Sequence, residues 1–133
     1  MTDEKIKCLL VEPNKIPIEI EIKKELKEYQ RLVGGLIEQA YLPVNDDVVI
    51  ICNEEGKLNG MELNRDIGHD IIAGPFLIVG DDYDNSDFKS LTDDQISRYK
   101  ELFNEESIIA TQRKIANIIL SSKHFTREGG IER

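Results

Sequence analysis

Seven polar residues in the middle of the chain have the chemistry to bind a small polar ligand. They fall in two predicted turns and are Asn53, Glu54, Glu55, Asn64, Arg65, Asp66 and His69. A guanidinium recognises carboxylates and phosphates through paired N–H groups, so Arg65 would anchor such a ligand if the two turns lie close together. The structural alternative is that the asparagines cap turns and that the guanidinium pairs with Asp66, Glu62 or Glu55.

A second acidic group follows in a predicted polar loop over residues 81–90. It consists of Asp81, Asp82, Asp84 and Asp87. Asp82, Asp84 and Asp93 have part of the spacing of a calcium-binding loop, but Asp87 stands where the turn of such a loop requires glycine. The pattern therefore favours an acidic, solvent-exposed face over a calcium site.

The remaining metal-ligating side chains are too few and too scattered for a metal centre. His69 and Asp70 form a His-Asp pair, but His124 is the only other histidine. Cys8 and Cys52 lack the paired spacing of zinc ligands and lie in aliphatic stretches, which favours buried, reduced thiols. Neither a Gly-x-Ser-x-Gly elbow nor a phosphate-binding loop is present. We therefore expect a protein that is not an enzyme, without catalytic residues, metal or cofactor.

The negative charge is concentrated in the middle of the chain. The 133 residues include 26 acidic and 17 basic ones, for a net charge of −9. Residues 36–95 have fourteen acidic residues against Lys57, Arg65 and Lys89, so this stretch alone carries 3 − 14 = −11. Binding to nucleic acid needs a basic stripe that contacts phosphates, and none is present. The sequence therefore favours a basic protein as the partner and argues against direct nucleic-acid binding.

Length and hydropathy predict one domain in the cytoplasm. A chain of this length fits a single domain, which we assign to residues 1–126, with a flexible tail over residues 127–133. No apolar run approaches the roughly 20 residues that cross a bilayer. The first residues do not resemble a signal peptide. We therefore expect no membrane contact.

The hydrophobic pattern predicts an α+β fold with a small mixed, mostly antiparallel sheet and one helix after the first hairpin. Strands over residues 7–11 and 17–22 form that hairpin, and the helix ends at Gly34 and Gly35. A buried strand follows over residues 48–52.

Two glycines are predicted to interrupt or connect the strands that come next. Gly56 is expected to take a positive φ in the hairpin loop after the buried strand. A further strand is predicted over residues 70–79, interrupted at Gly74 and Pro75 by a bulge or an edge position.

The C-terminal part of the chain is predicted to be helical. Residues 92–95 match a capping box, and the buried stripe that follows consists of Ile96, Tyr99, Leu102 and Phe103. A second cap at Asn104 leaves open whether residues 93–123 form one helix or two. The Ile/Leu stripe of the C-terminal helix, over residues 105–123, is wider than one small sheet needs, which makes a homodimer through this helix an expectation.

Five short segments together resemble a known family. They read VGGLIE over residues 33–38, ICNEEGKL over 51–58, LNR over 63–65, IAG over 72–74 and SLTDDQ over 90–95. In this order they resemble the domain of unknown function 3846 family, over a core of roughly residues 7–103. The resemblance implies a small protein of a phage, plasmid or other mobile element, with the C-terminal helix as an addition to the family core.

Two functions from different classes follow as expectations. The first is a non-enzymatic acidic accessory protein of a phage or mobile element that binds a basic host protein, as an anti-defence factor or as an inhibitor that mimics nucleic acid. The alternative is a module that binds a small nucleotide-like signal through Arg65. The two differ in whether the acidic residues or the guanidinium face the partner.

Overall fold

The computed structural model describes the backbone of residues 3–131 and the side chains of residues 3–122. The strands in this part of the chain are β1 (Lys5–Val11), β2 (Ile18–Lys23), β3 (Ile37–Ala40), β4 (Val48–Asn53), β5 (Leu63–Asp66), β6 (Ile71–Ala73), β7 (Phe76–Asp82) and β8 (Asp87–Lys89). The helices are α1 (Leu26–Val33), α2 (Asp93–Leu102) and α3 (Glu105–Ile131). The predicted α+β fold is confirmed, including the helix after the first hairpin and the C-terminal helices.

The main sheet has the strand order β2-β1-β7-β4-β3. The short strand β8 pairs with the C-terminal end of β7. All of these pairings are antiparallel. The strands β5 and β6 form a separate two-stranded sheet. In the register of β4 and β7, Val48 lies opposite Gly80 and Ile51 lies opposite Leu77, so the start of β4 adjoins the end of β7.

Both faces of the main sheet are covered, and β4 shows why its sequence is continuously apolar. Val49 and Ile51 pack on the face that holds α1, together with Tyr29. Val48, Ile50 and Cys52 pack on the other face, against α2 and the small sheet. Successive strand residues point to opposite faces, so a strand that is buried on both sides needs an apolar side chain at every position.

The two cysteines are free and buried, as predicted. Cys8 lies in the core under α1, whereas Cys52 lies in the core on the opposite face of the sheet. Burial raises the pKa of the Cys8 thiol to about 12 and that of Cys52 to about 11. Both thiols are therefore neutral near pH 7, and thiolate chemistry is disfavoured.

Gly74 and Pro75 separate two strands, and the single strand predicted over residues 70–79 is wrong. β6 belongs to the small sheet, while β7 belongs to the main sheet. Gly74 has a φ of +82°, and a Cβ at this position would lie 2.6 Å from Sδ of Met61. The chain thus changes sheets at a residue whose positive φ favours glycine and where any side chain would also displace Met61.

The predicted polar loop over residues 81–90 is a hairpin. β7 continues to Asp82, a 3-10 turn spans Tyr83–Asn85, and β8 returns along β7. Polar side chains at the exposed end of a sheet show no apolar alternation, so the pattern of residues 81–90 gave no strand signal. Phe88 is the exception, and its ring packs edge-on against Tyr29 with centroids 5.5 Å apart.

The C-terminal segment forms two helices that are divided at Phe103 and Asn104. Asn104 Oδ1 accepts a hydrogen bond from the Ser107 N–H at 3.2 Å and so caps α3. Ile96, Tyr99 and Phe103 are buried as predicted, but Leu102 is 48% exposed. The helix α3 runs to Ile131, beyond the predicted end at residue 123, and residues 132–133 of the predicted tail lie outside the described residues.

Candidate functional site

Arg65 is the most buried polar residue of the predicted ligand site, with an exposure of 0%. Its guanidinium donates to Ser107 Oγ at 2.9 Å, Asn64 Oδ1 at 2.9 Å, and the carbonyl oxygens of Glu12 at 3.5 Å, Lys15 at 2.6 Å and Phe103 at 3.0 Å. A guanidinium has five N–H groups, and these five hydrogen bonds occupy all of them. None of the acceptors is a carboxylate.

The contacts of Arg65 hold four parts of the molecule together. The guanidinium lies on β5 and reaches the β1–β2 loop, the end of α2 and the first turn of α3. The carbonyl of Phe103 at the end of α2 is one of the groups that a helix leaves unpaired, and a cation suits the negative end of the helix dipole. Burial lowers the pKa of Arg65, but an arginine remains protonated in a protein.

These contacts correct both predictions made for Arg65. An anchor for an anionic ligand needs accessible N–H groups, and those of Arg65 are all bound to protein acceptors. The predicted pairing with a nearby acid is also wrong, because Asp66 pairs with Lys114 of α3 at 2.8 Å and Glu62 accepts a hydrogen bond from Asn14. The sequence placed Arg65 in a turn among acids, whereas the fold places it inside.

The two asparagines are buried and bind backbone groups. Asn53 Nδ2 donates to the Val33 carbonyl at 3.1 Å, and its Oδ1 accepts from the Glu55 N–H at 2.8 Å, which caps the turn after β4 as predicted. Asn64 Nδ2 donates to the carbonyl oxygens of Val11 and Gly74 at 2.8 Å and 2.9 Å. Both side chains therefore stabilise the fold and present no amide to solvent.

The structure does not join the seven predicted residues into one cavity. Glu54 and Glu55 are exposed in the turn after β4, and His69 is exposed in the β5–β6 turn. Asp66 is half-buried, and its hydrogen bond from Lys114 is the main cause of its lowered pKa, followed by the Gly68 N–H. The seven residues are therefore divided between two surface turns, one after β4 and one between β5 and β6, and the buried hydrogen-bond cluster around Arg65.

The predicted acidic face lies at one end of the main sheet, which we call the aspartate end. It comprises the start of β4, the end of β7, the β7–β8 hairpin and the first turn of α2, with Asp46, Asp47, Asp81, Asp82, Asp84, Asp87, Asp93 and Asp94. The Asp81 N–H donates to the Asp47 carbonyl at 2.8 Å, and Gln95 Nε2 donates to the Asp46 carbonyl at 2.7 Å. These hydrogen bonds bring the acidic flanks of three elements together.

Ion pairs neutralise only part of the aspartate end. Asp87 pairs with Lys24 at 2.7 Å, Asp93 with Lys7 at 4.0 Å, and Asp46 with Arg98. Among the described residues, five aspartates of this end have no ion pair: Asp47, Asp81, Asp82, Asp84 and Asp94. The surface here is consequently negative.

The remaining acids of the middle of the chain lie away from the aspartate end. Glu54 and Glu55 follow the opposite end of β4, and Glu38 lies beside that end, opposite Cys52. Six residues of strand separate the two ends by about 20 Å, which is more than a Debye length at physiological salt. The −11 of residues 36–95 is therefore divided over at least two surfaces.

An apolar groove is the feature that sequence reasoning missed. It has a volume of about 340 Å³ and lies between the loop of Leu42, Pro43 and Val44, the turn at Gly68, and the junction of α2 and α3 at Leu102. We call it the Leu102 groove. Val44 and Leu102 are 52% and 48% exposed. The sequence signal was present, because Leu102 fits the helical stripe of α2, but only the packing shows that this residue faces outward.

Residues 3–131 contain no helix long and apolar enough to cross a bilayer. No three or more histidine, cysteine, aspartate or glutamate side chains among the described residues are grouped so that they could hold a metal ion.

Fold and surface define the class of protein: an antiparallel α+β domain with helices on both faces, a buried arginine and an aspartate-rich sheet end. The family described as domain of unknown function, DUF3846, matches residues 6–104, and the chain belongs to this family. The match ends immediately before α3 begins at Glu105. No curated protein and no solved structure matches the chain.

Proposed function

We propose that the protein is a non-catalytic interaction protein that binds a basic protein through its aspartate end. The observation that carries this proposal is the set of five aspartates on or beside three neighbouring elements that no cation of the described residues pairs with. Carboxylates that no internal cation neutralises can attract a positively charged surface and accept hydrogen bonds from it. Arg65 supports the same proposal indirectly, since its N–H groups are not available to a small anionic ligand.

The partner that suits this surface is a host nuclease or DNA-binding protein. Such proteins have basic surfaces that bind phosphates, and a row of carboxylates can occupy those surfaces in place of nucleic acid. With the mobile-element setting that the family resemblance implies, this role is that of an accessory or anti-defence factor in the cytoplasm of a bacterial host. Binding of this kind weakens steeply as salt rises.

A matched pair of variants tests the proposal. One variant neutralises Asp47, Asp82 and Asp84 to Asn, and the control neutralises Glu38, Glu54 and Glu55 to Gln at the opposite end of β4. Both change the net charge by the same amount at exposed or half-buried positions. The wild-type protein and both variants are immobilised, exposed to a bacterial lysate at low salt, and eluted with a salt gradient.

We expect the wild-type protein and the control to retain a basic protein that the aspartate variant binds at least tenfold more weakly. Duplex DNA added to the lysate should compete for the retained protein if carboxylates stand in for phosphates. Equal retention by the aspartate variant and the control would contradict the proposal, since total charge and not the aspartate end would then govern binding.

A further inference from the structure

The helix α3 has an apolar surface that the domain does not cover. Its first turns pack on β5, where Thr111 is buried and Ile115 is half-buried. Further along, Ile118, Ile119 and Leu120 are 51%, 48% and 63% exposed. Among the described side chains of the helix, packing on one short strand therefore covers only the first turns.

The Leu102 groove is a second uncovered apolar surface of the same chain. It extends from the loop of Val44 and the turn at Gly68 to Leu102 in α2 and Ser107 in the first turn of α3. The one acid in its lining, Asp66, is paired with Lys114. The nearby Glu101, Glu105 and Glu106 leave the surroundings of the groove negative.

The charges along α3 differ between its two ends: the first turn is acidic and the rest of the helix is basic. Its first turn has Glu105 and Glu106, whereas residues 107–127 have no acidic residue and four basic ones, of which Lys114 pairs with Asp66 of the same chain. An antiparallel arrangement of two such helices therefore places the basic half of each beside the acidic first turn of the other. The same arrangement brings the exposed apolar residues of one helix to the groove beside Ser107 of the other.

We propose that a second copy of this chain covers both surfaces. One face of the segment of residues 118–120 of each α3 packs against the Leu102 groove of the other copy, and the two identical contacts are related by a two-fold axis. Each contact joins apolar surface to apolar surface and basic helix to acidic surroundings. The proposal extends the expected homodimer by naming the surface that receives the helix, and it is independent of what binds the aspartate end.

Two variants and one control test this contact in the full-length chain. The helix variant replaces Ile118, Ile119 and Leu120 with Ser, and the groove variant replaces Val44 and Leu102 with Lys. The control replaces three exposed leucines that lie elsewhere, at 54%, 60% and 83% exposure, with Ser: Leu26, Leu36 and Leu58. The substituted side chains are between 48% and 83% exposed, so the domain itself should stay folded.

Sedimentation equilibrium over a range of concentrations measures the dissociation constant of the dimer. We expect the helix variant and the groove variant each to raise it at least tenfold, and the control to leave it unchanged. A mixture of the helix variant and the groove variant should associate more strongly than either alone, because the pair retains one intact helix and one intact groove that fit each other.

Either of two results would overturn the proposal. The wild-type chain could remain monomeric up to about 1 mM, which corresponds to negligible association. Alternatively, the groove variant could dimerise as well as the wild type while the helix variant does not, which would mean that the helices pair only with each other.

Discussion

At the scale of single residues, Arg65 decides how the molecule is held together. Burying a charge without a partner is costly, and the fold avoids this cost by giving every N–H group of the guanidinium an acceptor. The acceptors come from four separate parts of the chain, so one side chain fixes the β1–β2 loop, α2 and α3 relative to β5. A residue with this environment is needed for stability.

Replacing Arg65 with Ala should lower the free energy of unfolding by about 3 kcal/mol or more, because several buried acceptors lose their donors at once. Arg65→Lys should also destabilise the protein, since three N–H groups on one nitrogen cannot reach acceptors arranged around a planar fork. Urea unfolding followed by circular dichroism measures both changes.

Arg98→Ala is the matched control, because Arg98 is exposed on α2 and pairs with a single carboxylate, that of Asp46. Its effect should be much smaller, as is usual for a surface ion pair. Similar losses for Arg65→Ala and Arg98→Ala would show that the internal hydrogen bonds of Arg65 do not matter for stability.

At the scale of elements, α2 illustrates how local sequence and tertiary contacts reinforce each other. Thr92 Oγ1 accepts from the Gln95 N–H at 3.1 Å, and Gln95 Oε1 accepts from the Thr92 N–H at 2.9 Å, which completes the predicted capping box. The same Gln95 amide reaches the Asp46 carbonyl before β4. The cap therefore both starts the helix and attaches it to the sheet.

Thr92→Ala should lower the free energy of unfolding by about 1 kcal/mol, the usual effect of losing a helix cap. Thr92→Ser retains the hydroxyl oxygen and should keep most of the stability. Urea midpoints of the two variants give the comparison, and a loss in the Ser variant as large as that in the Ala variant would exclude the hydrogen bond as the cause.

At the scale of the whole molecule, charged aspartates form hydrogen bonds and ion pairs that join one surface element to another. Hydrogen bonds from Tyr99 and then Arg98 lower the pKa of Asp46, against the effect of burial. The main causes for the other lowered values are Lys114 at Asp66, Lys57 at Asp70 and Lys24 at Asp87. A carboxyl with a lower pKa in the folded state than in the unfolded chain stabilises the fold while it is charged.

The free energy of unfolding should therefore be retained above about pH 5 and should fall as the pH drops through the ordinary aspartate pKa of about 3.9 and below it. The unfolded chain binds protons first in this range, which favours unfolding. Urea midpoints between pH 7 and pH 2 test this. An Asp66→Asn variant should show a shallower decline, and a stability that rises between pH 5 and pH 3 would contradict the prediction.

The amino-acid sequence by itself determined the features that depend on neighbours along the chain. The period-two pattern of β2, the apolar run of β4, the capping box of α2 and the glycine that ends α1 are local signals, and the structure confirms each of them. Gly56 shows the limit of such signals. Its φ is not positive, and glycine is needed because a Cβ there would lie 2.6 Å from the carbonyl oxygen of Ala73, seventeen residues away in sequence.

Only the tertiary structure decided which polar residues lie inside and which lie together at the surface. Arg65 and Asp66 are adjacent in sequence, yet Arg65 is fully buried and Asp66 pairs with Lys114 at the surface. The β1–β2 loop and the junction of α2 and α3 enclose the guanidinium, whereas the carboxylate reaches only the exposed part of α3. Antiparallel pairing likewise gathers aspartates from β4 and β7 at one end of the sheet and sends the glutamates that follow β4 to the other. Charge and burial of this kind depend on which strands are neighbours, and that order is set by packing of the whole domain.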